Sequence, residues 1–472
     1  MTMRIILLAF VLTIATPNFT AFAQPAARLD LNASAAIVVE QSTGRVLYGH
    51  NIHARRYPAS MSKIMTAIVA LDHLELNDLI VIGTEINNMP AGYATNIHVV
   101  GETVSVHFML KALMIRSGNE TGRTLAIEVM RRITGRDDIT YNEAKPLFSS
   151  LLNQRAASLG AYNTTFTNPY GLHAAQHVTT AYDMAIISRA YMDIPVLAEI
   201  AAMRYFDGDG TLGVYVPGAN IRQYSWTNTN RTLPGGEFSH PFMTGLKTGF
   251  TTPAGHCLVG SAYFNGLELV SVVFYSQDPG RWLDTHQLIN FGFTNFSFRE
   301  IATPMYLADE IYIYNPRRGD PATVEIIQAY GHQALLSHNE YANITRAIIY
   351  DPLLLVQPEE GETSQPQLLA PIEEGEIVGA IRYYTGGVLV FESPLVAAQA
   401  VYERTFDSDM DYFLAMFTSN VFTRRALPYW FGVFGVLFGI FGMHLAISAS
   451  RRARKAEKWS RPEPRRSRYD RR

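Results

Sequence analysis

Beyond about residue 35 the chain alternates between short apolar runs and turn residues. Ala36-Ile37-Val38-Val39 and Arg45-Val46-Leu47-Tyr48 flank Ser42-Thr43-Gly44, which predicts a β-hairpin. Apolar positions then recur at three- and four-residue spacings, predicting helices over 60–71, 106–114, 121–133, 147–159 and 180–192. Strands follow over 258–263 and 267–275, joined at Asn265-Gly266, with a closing helix over 282–293. That order predicts an α+β domain, one sheet covered by helices. Short β-type runs come next at 311–314, 323–327 and 347–350. The clearest of this set is a hairpin, 377–384 and 388–391, around Thr385-Gly386-Gly387. A small all-β domain is expected there, with a polar, acidic loop over 357–367.

Both ends carry addressing patterns. Arg4, the apolar run 5–14 and Ala21-Phe22-Ala23 before Gln24 read as a secretory signal. The run is shorter than the roughly 20 residues that a spanning helix needs. Residues 426–448 hold no charged side chain and are long enough to cross a bilayer. Eleven Lys or Arg residues lie between Arg451 and Arg472, against Arg424 and Arg425 on the other flank, so the positive-inside rule puts the tail in the cytoplasm. The organisation expected is a signal at 1–23, a first domain at 30–298 and a β-rich domain at 299–395. A membrane-proximal segment at 396–425, a transmembrane helix at 426–448 and a basic cytoplasmic tail at 449–472 complete it. Gly435 and Gly439 form a G-x-x-x-G pair. Packing of two such helices into a dimer is one reading, and the ordinary abundance of small residues in spans is the other.

Composition narrows the classes. In 472 residues, 48% hydrophobic content supports sizeable cores, and a net charge of −3 with both signs interleaved gives no basic face for nucleic acid. The single Cys257 cannot form an intrachain disulfide and, within Cys257-Leu258-Val259-Gly260, reads as a buried structural thiol. His173 and His177 have metal-pair spacing but no third ligand, so they read as a surface loop, and neither a metal nor a cofactor is implied.

Three short motifs carry chemistry: Ser60-Met61-Ser62-Lys63, Ser117-Gly118-Asn119 and Lys247-Thr248-Gly249. S-x-x-K alone arises by chance roughly once in a chain this long, usually as a surface helix with a solvated lysine. Here Lys63 leads into Ile64, Met65, Ala67, Ile68, Val69 and Ala70, a stretch that belongs in a core. Ser60 and Lys63, three apart, share a helix face. Burial and a second cation would lower the amine's pKa until it accepts the hydroxyl proton. Singly, Asn119 reads equally as a loop cap, Ser117-Gly118 as a turn and Thr248-Gly249 as a strand end.

Taken together, in this order and at these spacings, the motifs resemble those of the serine penicillin-recognising enzymes. The flanking segments Arg56-Tyr57-Pro58-Ala59-Ser60, Asn168-Pro169-Tyr170-Gly171-Leu172, Thr180-Ala181-Tyr182-Asp183-Met184-Ala185 and Gly245-Leu246-Lys247 are similar to the D-alanyl-D-alanine carboxypeptidases, low-molecular-mass penicillin-binding proteins. So is Gln367-Leu368-Leu369-Ala370-Pro371-Ile372 with Gly379, in the region where those enzymes carry a β domain. The resemblance implies a penicillin-binding, β-lactamase-like transpeptidase fold followed by the small all-β domain and the C-terminal anchor. It implies Ser60 as nucleophile, Lys63 as base and Ser117 as proton carrier to the leaving amine. Asn119 would hold the substrate amide and Lys63, and Lys247 with Thr248 the terminal carboxylate. The N–H groups of Ser60 and of Phe250, the residue after Gly249, would stabilise the oxyanion. Phe250 stands where some members carry histidine.

The implied activity is removal of the terminal D-alanine from peptidoglycan pentapeptide stems, with β-lactams as covalent inhibitors. The implied site is the inner membrane, with the catalytic domain in the periplasm. No E-x-x-L-N pattern lies between Ser117 and Lys247, which argues against a class A β-lactamase. A D,D-endopeptidase of the same family and a catalytically silent murein-binding scaffold remain the alternatives. Upstream side-chain preference and the role of the β domain leave no sequence signal, and the Gly435 and Gly439 pair is the pointer to oligomeric state.

Overall fold

The computed structural model describes residues 29–93, 95–211, 222–356, 366–421 and 437–450. The expected signal, the basic tail, Gly435 and most of the acidic loop lie outside them. The chain forms two compact units.

The first unit is organised by a five-stranded antiparallel sheet. Its strands are β1 (Ala35–Glu40), β2 (Val46–His50), β3 (Met243–Thr251), β4 (Gly255–Phe264) and β5 (Leu267–Ser276), in the order β2-β1-β5-β4-β3. All six residues of β1 are buried, which explains its unbroken apolar run. Ile37 and Val39 face one core, while Ala36 and Val38 face the other. A strand alternates its side chains, so a strand covered on both sides must be apolar throughout.

Helices fill the first core: α1 (Lys63–His73), α2 (Val106–Ile115), α3 (Asn119–Thr134), α4 (Tyr141–Ser158), α5 (Ala181–Met192) and α6 (Pro195–Ala202). The other face carries α7 (Gly280–Asn295), whose Leu288 and Ile289 pack on Ala36, Val38 and Val273. Helix α1 is buried continuously from Lys63 to Ala70. Helix α4 starts six residues before the expected 147, at a capping box of Thr140 and Glu143. Pro146 sits inside it at an exposed position, where water can take the carbonyl left without its N–H.

The first unit also includes Gln333–Asn343, from far along the chain. Leu335 is buried in the second core with Leu47 and Leu288, and its carbonyl accepts from Arg45. Arg45 also pairs with Glu340, which closes a capping box with Ser337.

The second unit is built on a seven-stranded sheet. Its strands are β6 (Leu307–Tyr314), β7 (Thr323–Gln328), β8 (Ile344–Tyr350), β9 (Leu355–Val356), β10 (Gln367–Leu369), β11 (Ile377–Thr385) and β12 (Val388–Ala397). They run in the order β8-β11-β12-β7-β6-β10-β9. Alternate residues such as Ile311 and Ile313, Val324 and Ile326, and Ile381 and Tyr383 form its core. Helix α8 (Phe406–Val421) follows, and 437–450 is helical. Among the described residues no helix is long and apolar enough to cross a membrane. The span expected over 426–448 lies partly outside them.

Candidate active site

The site forms where the start of α1, the start of α3 and the edge strand β3 meet. Ala59–Ser62 is a 3-10 turn leading into α1, not the α-helical start expected at residue 60. Three residues per turn stack Ser60 directly over Lys63. The Lys63 Nζ donates to Ser60 Oγ at 3.0 Å, to Asn119 Oδ1 at 2.7 Å and to the Tyr170 carbonyl at 2.7 Å. Lys63 is fully buried, and burial first, then the charge of Lys247, lowers its pKa well below the ordinary lysine value, against a raising influence from Glu120.

Asn119 is set by the loop it packs on. Its Nδ2 donates to the Tyr93 carbonyl at 2.8 Å, and its N–H to Thr95 Oγ1. Next to it, the buried Glu120 accepts from the N–H groups of Thr95 and Ile97. Burial pushes that carboxyl up, but the bonds from Thr95 and Ile97 outweigh it and hold the group below its usual range. Ser117 precedes α3 with φ +63 and lines the same cleft as Ser60.

Strand β3 brings the third motif. Lys247 is fully buried, its Nζ donates to the Thr248 carbonyl at 3.2 Å, and burial with the nearby Arg281 pushes its pKa down to about 7. Thr248 Oγ1 is 2.8 Å from Thr229 Oγ1. A Cβ on Gly249 would lie 2.9 Å from the Pro58 carbonyl oxygen, so glycine lets the strand approach the Ser60 turn. Phe250 is 54% exposed and packs on the His256 ring.

All eight residues expected from sequence therefore gather around one locus. A cleft of about 550 Å³ joins Ser60, Ser117, Thr248, Gly249 and Phe250 with Arg204, Thr229, Arg231 and Arg281. Those last four came with no sequence signal, since a single arginine or threonine in a loop has no distinctive spacing.

Asn168-Pro169-Tyr170-Gly171-Leu172 forms a loop against Lys63. Asn168 Oδ1 accepts from the N–H groups of Tyr170, Gly171 and Leu172, while its Nδ2 donates to the Leu172 carbonyl. Thr66 Oγ1 donates to the Pro169 carbonyl. The tight loop so formed aims the Tyr170 carbonyl at Lys63. His177 corrects the surface-loop expectation: it is buried, and its Nε2 lies 2.7 Å from Ser62 Oγ. His173 is exposed against Tyr57. Among the described residues no group of three His, Cys, Asp or Glu side chains is placed to hold a metal. Cys257 is buried, and burial pushes its thiol up to about 12, which makes it inert as a nucleophile.

The chain is also similar to known proteins. Residues 20–278 match the D-alanyl-D-alanine carboxypeptidase family. The chain is 26% identical over 372 residues to D-alanyl-D-alanine carboxypeptidase DacF of Bacillus subtilis, covering 78% of this chain and 85% of that protein. It is 28% identical over 400 residues to DacC of Escherichia coli, covering 82% and 89%. The crystal structure of the D-alanyl-D-alanine carboxypeptidase DacD from Francisella tularensis superposes with a TM-score of 0.56 at 23% identity, over 80% of this chain and 95% of that one.

Proposed function

The chain belongs to the D-alanyl-D-alanine carboxypeptidase family, and from that membership we propose how its cleft performs the reaction. It is a serine-type hydrolase that removes the terminal D-alanine from peptidoglycan stem peptides and is acylated by penicillins. The observation that carries the assignment of roles is the buried Lys63 amine, its pKa lowered by burial and then by Lys247, bonded to the hydroxyl of Ser60, which lines the cleft.

Neutral Lys63 takes the Ser60 proton as Oγ attacks the carbonyl carbon of the penultimate D-alanine. The oxyanion that forms is held by the N–H groups of Ser60 and Phe250. Ser117 passes its proton to the leaving nitrogen and takes the one held by Lys63, the C–N bond breaks, and free D-alanine departs from a Ser60 ester. Water then attacks that ester and gives a proton to the again neutral Lys63, which returns it to Ser60 Oγ as the shortened stem is released. Lys247 and Thr248 hold the substrate's terminal carboxylate, and Asn119 holds Lys63 and the substrate amide.

A cation there grips the carboxylate of a C-terminal residue and equally one beside the internal bond of a cross-linked stem, so the support for carboxypeptidase over endopeptidase action comes from the family and its relatives. Purified protein should release D-alanine from a peptide ending in D-Ala-D-Ala, and Ser60→Ala should release none. Cleavage of cross-linked dimers without D-alanine from pentapeptides would instead establish an endopeptidase, and absence of penicillin labelling a silent scaffold.

The apolar stretch 426–448 and the basic residues after it support an inner-membrane anchor, with the catalytic unit in the periplasm and the tail in the cytoplasm. A reporter fused after Arg472 tests this: activity confined to the periplasm refutes it. Gly435 and Gly439 support a dimer through that helix, which crosslinking in membranes would detect.

A further inference from the structure

Ala59, the residue before the nucleophile, has φ +46, a conformation that L-residues adopt only when their surroundings enforce it. A two-step relay from outside the catalytic set ends on its carbonyl. The N–H of Thr167 donates to His177 Nδ1 at 3.0 Å, with Asn168 Nδ2 at 3.4 Å. A backbone N–H can only donate, so Nδ1 carries no proton and Nε2 does. Nε2–H therefore donates to Ser62 Oγ at 2.7 Å, and the Ser62 hydroxyl donates to the Ala59 carbonyl at 2.9 Å.

The Ala59 carbonyl and the Ser60 N–H belong to one planar trans peptide and point in opposite directions. Fixing the carbonyl on one side aims the N–H on the other. Among the described residues that N–H has no acceptor, as an oxyanion donor awaiting its ligand requires. We propose that His177 and Ser62 are positioning residues that lock the Ala59–Ser60 peptide plane and so aim the Ser60 N–H at the oxyanion. Both are buried and neither touches the cleft. Burial, with His173, Lys145 and Lys63 around it, pushes the His177 pKa down to about 3, so the ring stays neutral and the relay keeps one direction across the working pH range.

The inference rests on Ser60 as nucleophile, and the experiment separates the two. Acylation by a fluorescent penicillin is followed to saturation for the full chain, giving a binding constant and an acylation rate constant. Wild type, Ser60→Ala, Ser62→Ala, His177→Leu, His177→Gln and the Ser62→Ala/His177→Leu double variant are compared. Ser62→Ala should slow acylation about 10- to 100-fold, part of what losing an oxyanion donor costs, with the binding constant unchanged within about two-fold. The double variant should be no slower than Ser62→Ala, because the two residues act in series. His177→Gln, whose amide can accept from Thr167 and donate to Ser62, should recover most of the rate lost in His177→Leu. If His177→Leu fails to fold, Ser62→Ala decides alone, since it removes one hydroxyl. Wild-type acylation in Ser62→Ala, or a loss confined to the binding constant, overturns the proposal and leaves Ser60 in its role. Labelling that survives in Ser60→Ala overturns both.

Discussion

Replacing Gly171 with alanine should disable the site without removing any catalytic side chain. Gly171 has φ +89, and an added Cβ would stand 1.9 Å from the Ala59 oxygen, 2.2 Å from the Ala59 carbon and 2.8 Å from the Ser60 nitrogen. Real Cβ contacts are essentially never shorter than 3.0 Å, so the loop and the Ser60 turn must part by the difference between 3.0 and 1.9 Å. Both partners are backbone, so no flexible side chain can absorb the shift. Displacing a nucleophile by about 1 Å costs about 10²-fold in rate, and the left-handed conformation adds about 1–2 kcal/mol of strain. Gly160→Ala separates the two effects, because Gly160 has φ +93 and nothing within 4 Å of its added Cβ. Penicillin acylation should fall about 10²-fold in Gly171→Ala and stay at the wild-type rate in Gly160→Ala. Equal rates in wild type and Gly171→Ala, or an equal loss in both variants, would refute the reasoning.

Further outcomes follow from the same geometry. The kcat/KM for a D-Ala-D-Ala peptide should fall in acid, where Lys63 takes up a proton. It should fall again above about 7, where Lys247 loses the charge that holds the carboxylate; a profile flat from about 5 to 9 counts against both assignments. Lys63→Arg should lose nearly all acylation in a stopped assay with labelled penicillin, since guanidinium cannot give up its proton. Asn168→Ala strands three N–H groups that now share one oxygen, and should lower unfolding stability by about 2–4 kcal/mol in a denaturant titration. Under native conditions Cys257 should react negligibly with a thiol reagent, and rapidly once unfolded.

How legible these features were depends on whether the signal was local. The three motifs, β1 and α1 could be read because burial leaves a compositional mark: a lysine at the head of Ile64 to Ala70 has nowhere to go but inward. Strand β3 showed only as a strand end at Thr248-Gly249, for Met-Thr-Gly-Leu-Lys-Thr-Gly-Phe-Thr has two glycines and a lysine where a strand former would be expected. It is a strand because Val259 and Leu258 on β4 pair with Lys247 and Thr248. Helix α6 is eight residues long and left too little periodicity to see. The start of α4 was hidden by Pro146, although Thr140 and Glu143 carried a capping box in plain view. His177 was misread because i, i+4 spacing says nothing of depth. Ser62, its acceptor, lies 115 residues away in sequence.

The membership of Gln333–Asn343 in the first unit bears on how the protein can be divided. A chain ending at Arg299 would include every reacting residue and both ends of the sheet, yet it would lack Leu335 from one core and leave Arg45 without its acceptor and its counter-ion. No single cut yields the two units intact, since the polypeptide leaves the first, returns for eleven residues and departs again. Maturation must follow the same thread: the last piece of the catalytic unit emerges from the ribosome only after the opening segment of the next unit, Glu300–His332, has been made.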